Sequence, residues 1–312
     1  MEPKPPPRAS KALNKDKLSM RRWAALTVTV LLASLPVATG PAAAQAGAPD
    51  PARAIKRQLR DGHGVRIAET NRYFFGEKST VSGSGTRIRG RLQLAPSGPV
   101  AAAFTWWNLS PPKGAGRPSE KSAPYRVIRV GKDAYDAADR YPGPVPDGKE
   151  WIRFPNNHRG AMARDMARDA SLQPIDVYDP SMMRAVLKCS TRKPSYGGFL
   201  YRGTMSYKEL SKASRGTAVS WTSGRPITAT SKGKISWQLW AGRDGLPKRL
   251  VTTDTAGTVR DPLVKRSDTH YTGWGSPLVI TAPPADEVID EDDLLEYIRR
   301  QNEPIPPDDG NT

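Results

Sequence analysis

Apolar and polar positions alternate with a period of two along most of the chain after residue 64, and the helical period of 3.6 surfaces only in short stretches. Over Thr86–Leu94, Ile88, Leu92 and Leu94 alternate with Arg87, Arg89, Arg91 and Gln93. That pattern predicts a strand with one buried and one wet face. Val65–Phe75 and Val100–Leu109, the latter carrying Phe104, Trp106 and Trp107, read as strands too. Tyr125–Val130 and Asp133–Ala137 form a hairpin about Gly131-Lys132, where glycine supplies the positive φ of a tight turn. Glu150–Phe154 and Phe199–Met205 are shorter strands. Lys234–Ala241 pairs with Leu246–Thr253 across Arg243-Asp244-Gly245. Val259–Trp274 and Pro277–Ala282 complete the set, the last alternating through Leu278 and Ile280 and stopping at Pro283-Pro284.

Four helices are expected between them. Pro51–Arg60 has Asp50 as N-cap, Pro51 where its missing N–H costs nothing, and Ala54, Ile55 and Leu59 on one face. Asp179 and Pro180 open a second through Lys188, with Met183, Val186 and Leu187 apolar. Ser206–Ala213 begins with Ser206 and Glu209 at capping-box spacing. From Asp290 an acidic start and Arg299-Arg300 at the end suit a helix dipole. Ser110–Ala123 reads as a loop, and Ser214–Lys232 as a loop with a little strand. Pro155–Gln173 is polar and weakly patterned, with one or two helical turns expected in Met162–Ala170. Residues 304–312, rich in Pro and Asp, are expected to be disordered. Strand and helix do not alternate as in a parallel sheet. The expected fold is α+β: a single strongly curved antiparallel β-sheet, a half-open barrel, with helices on its concave side.

The N-terminus changes the compartment. Arg21-Arg22 precede an apolar run from Trp23 to Val37, and small residues follow from Pro41 to Ala46. This is the order of a secretory signal, with cleavage expected after Ala44 or Ala46. Met20 would serve as a normal start, leaving Met1–Ser19 as an over-long beginning. The expected boundaries are 1–46 for the signal, 47–289 for one domain, and 290–312 for an acidic helix and tail. The 312 residues carry 48 Lys and Arg against 31 Asp and Glu. Removing residues 1–44 takes away seven basic and two acidic residues and leaves a charge of +12. Such a balance favours anionic membrane or wall surfaces, and export argues against nucleic acid.

Cys189 is the single cysteine. It is far from the cleavage site, so no lipid anchor forms there, and no intramolecular disulfide or cysteine-rich metal site is available. His63, His158 and His270 are isolated, with no acid at ligand spacing. No Gly-x-Ser-x-Gly elbow is present, and Ser82-Gly83-Ser84-Gly85 lacks the Lys-Ser/Thr of a phosphate loop. No catalytic residue, metal ligand or cofactor is assigned. Trp106, Trp151, Trp221, Trp237, Trp240 and Trp274 fall mostly in strands, as ordinary sheet core or as the lining of an apolar pocket.

Four segments, in order, carry a resemblance: VIRVGKDAYDA (Val127–Ala137) followed by KEWIRF (Lys149–Phe154), IDVYDPSMMRAVL (Ile175–Leu187), SWQLWAGRDGLPKRL (Ser236–Leu250) and YTGWGSPLVITAPP (Tyr271–Pro284). Together they resemble the LppX/LprG group of secreted lipoproteins, whose fold is shared with the carrier LolA. The resemblance spans about residues 51–290 and departs in lacking the lipidation cysteine. It implies a half-open barrel with an apolar cavity that holds the acyl chains of a lipid or another hydrophobic molecule outside the cytoplasm. Related folds also serve as envelope-stress sensor domains. The expected cavity wall is Leu92, Leu94, Phe104, Trp106, Val127, Trp237 and Leu239, with Met183 and Leu187 as its floor. The expected protein is an exported, monomeric, non-catalytic carrier. The alternative is a secreted interaction or sensor module that binds wall polymer or a protein partner through its basic surface.

Overall fold

Side chains that alternate in the sequence turn up on opposite faces of one sheet. The computed structural model describes residues 49–75, 83–109, 124–155, 171–222, 225–257 and 262–302. The expected signal (1–46), the loop 110–123, the turns expected in 162–170 and the tail from 304 lie outside the described residues.

Twelve strands form the sheet: β1 (His63–Phe75), β2 (Gly85–Ala95), β3 (Gly98–Leu109), β4 (Tyr125–Val130), β5 (Asp133–Ala137), β6 (Trp151–Phe154), β7 (Ser190–Ser195), β8 (Gly198–Ser206), β9 (Gly233–Gly242), β10 (Pro247–Gly257), β11 (Pro262–Pro277) and β12 (Val288–Asp290). Their order is β12-β6-β5-β4-β3-β2-β1-β11-β10-β9-β8-β7. All neighbours are antiparallel except β12, which runs parallel to β6. The end strands β12 and β7 do not pair, so the sheet curls into a barrel that stays open.

The helices are α1 (Pro51–Gln58), α2 (Pro180–Lys188), α3 (Tyr207–Ala213) and α4 (Glu291–Gln301). Each of the first three starts where its cap predicts. Asp50 accepts from the Ala52 amide at 2.9 Å and Asp179 from the Ser181 amide at 2.7 Å. Ser206 and Glu209 close a reciprocal capping box. Ile55 of α1, Met183 of α2 and Leu210 of α3 join Ile88, Phe104, Trp237 and Leu250 of the strands in one buried cluster on the concave side. A second cluster seals the far end, where Ile152 of β6 meets Ile289 of β12 and Leu294 of α4. Among the described residues no helix is long and apolar enough to cross a membrane.

The structure corrects the expected last strand, Pro277–Ala282. β11 ends at Pro277, and 278–284 has no strand. Its amides bond elsewhere: Leu278 N–H donates to Gly62 O at 2.9 Å and Ile280 N–H to the Gln93 side chain at 2.8 Å. Leu278 drops onto Gly64, where a Cβ would lie 2.5 Å from it. The segment is thus a strap across the β1–β2 end of the sheet. Two strands, β7 and β12, occur where none was expected.

Candidate functional site

Directly opposed residues in an antiparallel ladder point the same way. Val65 and Ile67 of β1 face the concave cluster, so the same parity carries Glu69 and Asn71 inward. Across β2, β1, β11 and β10, Thr86, Asn71, Ser267 and Thr252 stand in one row. Glu69 lies opposite Thr269 in the next row, and Lys265 opposite Asp254 on the other side. All eight are buried. A polar patch therefore occupies the floor of a mostly apolar barrel.

Segment 171–173 lies over it. The Glu69 carboxylate accepts four hydrogen bonds: from the Ser171 hydroxyl (2.5 Å), the Leu172 amide (2.7 Å), Thr269 Oγ1 (2.8 Å) and Asn71 Nδ2 (2.9 Å). Lys265 Nζ donates to Leu172 O at 2.6 Å. Gln173 Nε2 donates to Thr269 Oγ1 at 2.8 Å and to Leu250 O at 3.1 Å, while Thr252 Oγ1 donates to Gln173 Oε1 at 2.7 Å. A buried carboxylate is tolerable only when so satisfied. Burial pushes the Asp254 carboxyl up, and the Tyr207 hydroxyl and Lys265 ammonium pull it back down. Tyr207 donates to Asp254 at 2.6 Å, and burial together with that carboxyl raises the phenol's pKa.

Two atoms of the patch are left over. Asn71 Oδ1 and Ser267 Oγ are buried with no hydrogen-bond partner, and both residues are 0% exposed. An orphaned acceptor and an orphaned hydroxyl, side by side in one row, are equipped to receive a donor-acceptor group such as a hydroxyl, an amide or a water. Tyr178, Tyr271 and Trp274 pack together, Tyr178 edge-on to Tyr271, with centroids 5.9 to 6.4 Å apart, and the Trp274 indole donates to Pro247 O at 2.8 Å. Burial raises the pKa of Tyr178 and Tyr271 well above that of a free phenol. Among the described residues no group of three His, Cys, Asp or Glu is placed to hold a metal.

The nine residues expected to line a cavity all belong to the concave side. Leu92, Leu94, Phe104, Val127, Met183, Trp237 and Leu239 are buried in the main cluster; Trp106 and Leu187 are half-buried and pack against it. Two surface depressions, of about 380 and 410 Å³, lie elsewhere, and of the nine only Trp237 borders either. The first is lined mainly by Arg202, Thr204, Ser236, Gln238 and Thr253, whose register turns them away from the cluster. The polar floor went unread in the sequence. Its signal was present: once Val65 and Ile67 point inward, Glu69 and Asn71 must follow, and Lys265, Ser267, Thr269 and Tyr271 share one parity of β11.

The architecture defines the class: an α+β protein built on one half-open, almost wholly antiparallel sheet. No protein-family profile matches the chain, and no curated protein gives a significant match. Among solved structures, the chain is similar to one in the MucA/MucB complex of Pseudomonas aeruginosa, at 14% identity and a TM-score of 0.26. That match covers 77% of this chain and 60% of the other, so the chain spans well under two thirds of that protein. A β-barrel-like protein of unknown function from Brucella abortus matches at 9% identity and a TM-score of 0.18, over 69% of this chain and 99% of the other. At such scores neither likeness carries a functional argument.

Proposed function

We propose that the protein is a non-catalytic binding protein of the cell exterior that holds an amphiphile, its apolar chain against the concave cluster and its polar head on the Asn71–Ser267 row. One observation carries this reading: two orphaned polar atoms, wholly buried, stand beside an apolar interior. Architecture supports it. About eight strands make a barrel that side chains alone can fill. This sheet has twelve, and its interior is filled by three short helices and a coil segment held by side-chain hydrogen bonds. Filling of that kind is exchangeable for a ligand at lower cost than a continuous core. The basic, apolar, small-residue order of the N-terminus supports the location.

The test is extraction. The purified full chain, treated with organic solvent and analysed by mass spectrometry, should release an acyl lipid, and a fluorescent fatty-alcohol probe should bind the emptied protein. Asn71→Leu should weaken the alcohol probe more than its methyl-ester counterpart. A protein that carries no lipid and binds neither probe would sink the proposal. Salt-sensitive retention on an anionic matrix in that same protein would favour the interaction module instead.

A further inference from the structure

The outward face of the central strands is crowded with arginine. Arg66 of β1 lies directly opposite Arg91 of β2, and Arg72 directly opposite Arg266 of β11. Arg89 and Arg87 extend the same side of β2. Arg66, Arg87, Arg89, Arg91 and Arg266 are exposed, and no acidic side chain among the described residues forms an ion pair with any of them. The acid on this seam, Asp268, is taken by Arg249 at 2.5 Å, with His270 at 3.5 Å. Like charges directly opposed across a ladder destabilise it. The arrangement therefore costs the fold something that an outside counter-charge would return.

At one end of this face the arginines give way to apolar side chains. Phe74 stands opposite Val264, next to the Arg72–Arg266 pair; Trp107 stands opposite Arg87, and Leu109 opposite Gly85. Phe74, Val264, Trp107 and Leu109 are all half-buried. A soluble polyanion needs the charges alone. Arginine rows bordered by aromatic and aliphatic side chains match a bilayer interface, where phosphates lie beside the first apolar groups.

We propose that this outward face docks the protein on an anionic phospholipid surface, with Arg66, Arg89 and Arg91 on lipid phosphates and the Phe74–Trp107 end in the headgroup layer. The docking stands independently of the amphiphile site, which is on the opposite face of the same strands.

Flotation of the full chain with vesicles tests it. Vesicles of phosphatidylglycerol and phosphatidylcholine should capture the protein, and pure phosphatidylcholine should not. Capture should fall steeply between about 0.05 M and about 0.5 M salt. The triple variant R66Q/R89Q/R91Q should bind roughly a hundredfold more weakly, at about fivefold per charge removed. It should melt at the same temperature as the parent or higher, since the Arg66–Arg91 repulsion is gone, so a loss of capture cannot come from unfolding. Its content of extractable lipid should be unchanged, which separates failure of the docking from failure of the amphiphile site. Phe74→Ser should weaken vesicle capture while leaving binding to soluble polyphosphate intact. Undiminished capture of the triple variant would overturn the proposal. So would polyphosphate binding as tight as vesicle binding together with indifference to Phe74→Ser, the mark of a soluble-polymer site.

Discussion

The Trp237 indole lies across Gly203, its opposed neighbour on β8, where a Cβ would sit 2.6 Å from the ring and 2.9 Å from Cys189 O. Trp237 is 2% exposed. With no ligand between ring and backbone, Trp237→Ala should cost about 3–5 kcal/mol, read as a fall in the urea midpoint at constant slope. Asp136 on β5 shows a different economy. It opposes Val127 and Ile152, and burial, with Glu291 nearby, pushes its carboxyl from 3.8 to about 6. A raised carboxyl binds its proton more tightly in the folded state, so the stabilisation is complete below pH 3.8 and is lost as pH rises through about 6. Asp136→Asn should therefore be more stable than the parent at neutral pH by about 1–3 kcal/mol, with the gap closing towards about pH 4. Melting curves at the two pH values check it; a gap independent of pH would mean the gain comes from something other than the proton.

Elements with local causes were legible. The hairpin of β4 and β5 has the bounds that its Gly131 turn predicts, and α2 and α3 begin at their capping residues. Elements with distant causes were not. β7 reads Ser-Thr-Arg-Lys-Pro-Ser, with no apolar alternation, and it is a strand only because β8 lies beside it. Its Lys193 and Pro194 are the residues that discourage further pairing at a sheet edge. β12 has three residues and pairs with β6, more than 130 positions away. The strap after Pro277 alternates like a strand but finds Gly62 and Gln93 in place of a ladder. The polar floor was hidden for a related reason: binary patterning asks for apolar residues at inward positions, and Glu69 is satisfied by residues about a hundred positions on. At this scale, α4 is a plug for the second cluster, with Leu294 wholly buried against Ile152 and Ile289. Leu294→Ala should cost about 2–4 kcal/mol. Hydrogen exchange should quicken first in β6 and β12 while the β1–β11 seam stays protected.

Across the whole molecule the chain makes two successive runs of neighbouring strands, β1 to β6 and then β7 to β11, and joins them into one sheet where β1 meets β11. Among the described residues, that seam and the short β12–β6 pair are the strand pairings that join the two halves of the chain, and α1 packs on α2 across the same divide. Among the described residues, a break in the chain between 155 and 171 severs no strand pair. The molecule is in effect two polypeptides that happen to be written as one. Residues 1–155 and 171–312, produced from separate genes in one cell, should find each other and co-purify as a one-to-one complex, ready for use as a split reporter whose signal depends on the closing of the long β1–β11 seam and the short β12–β6 pair.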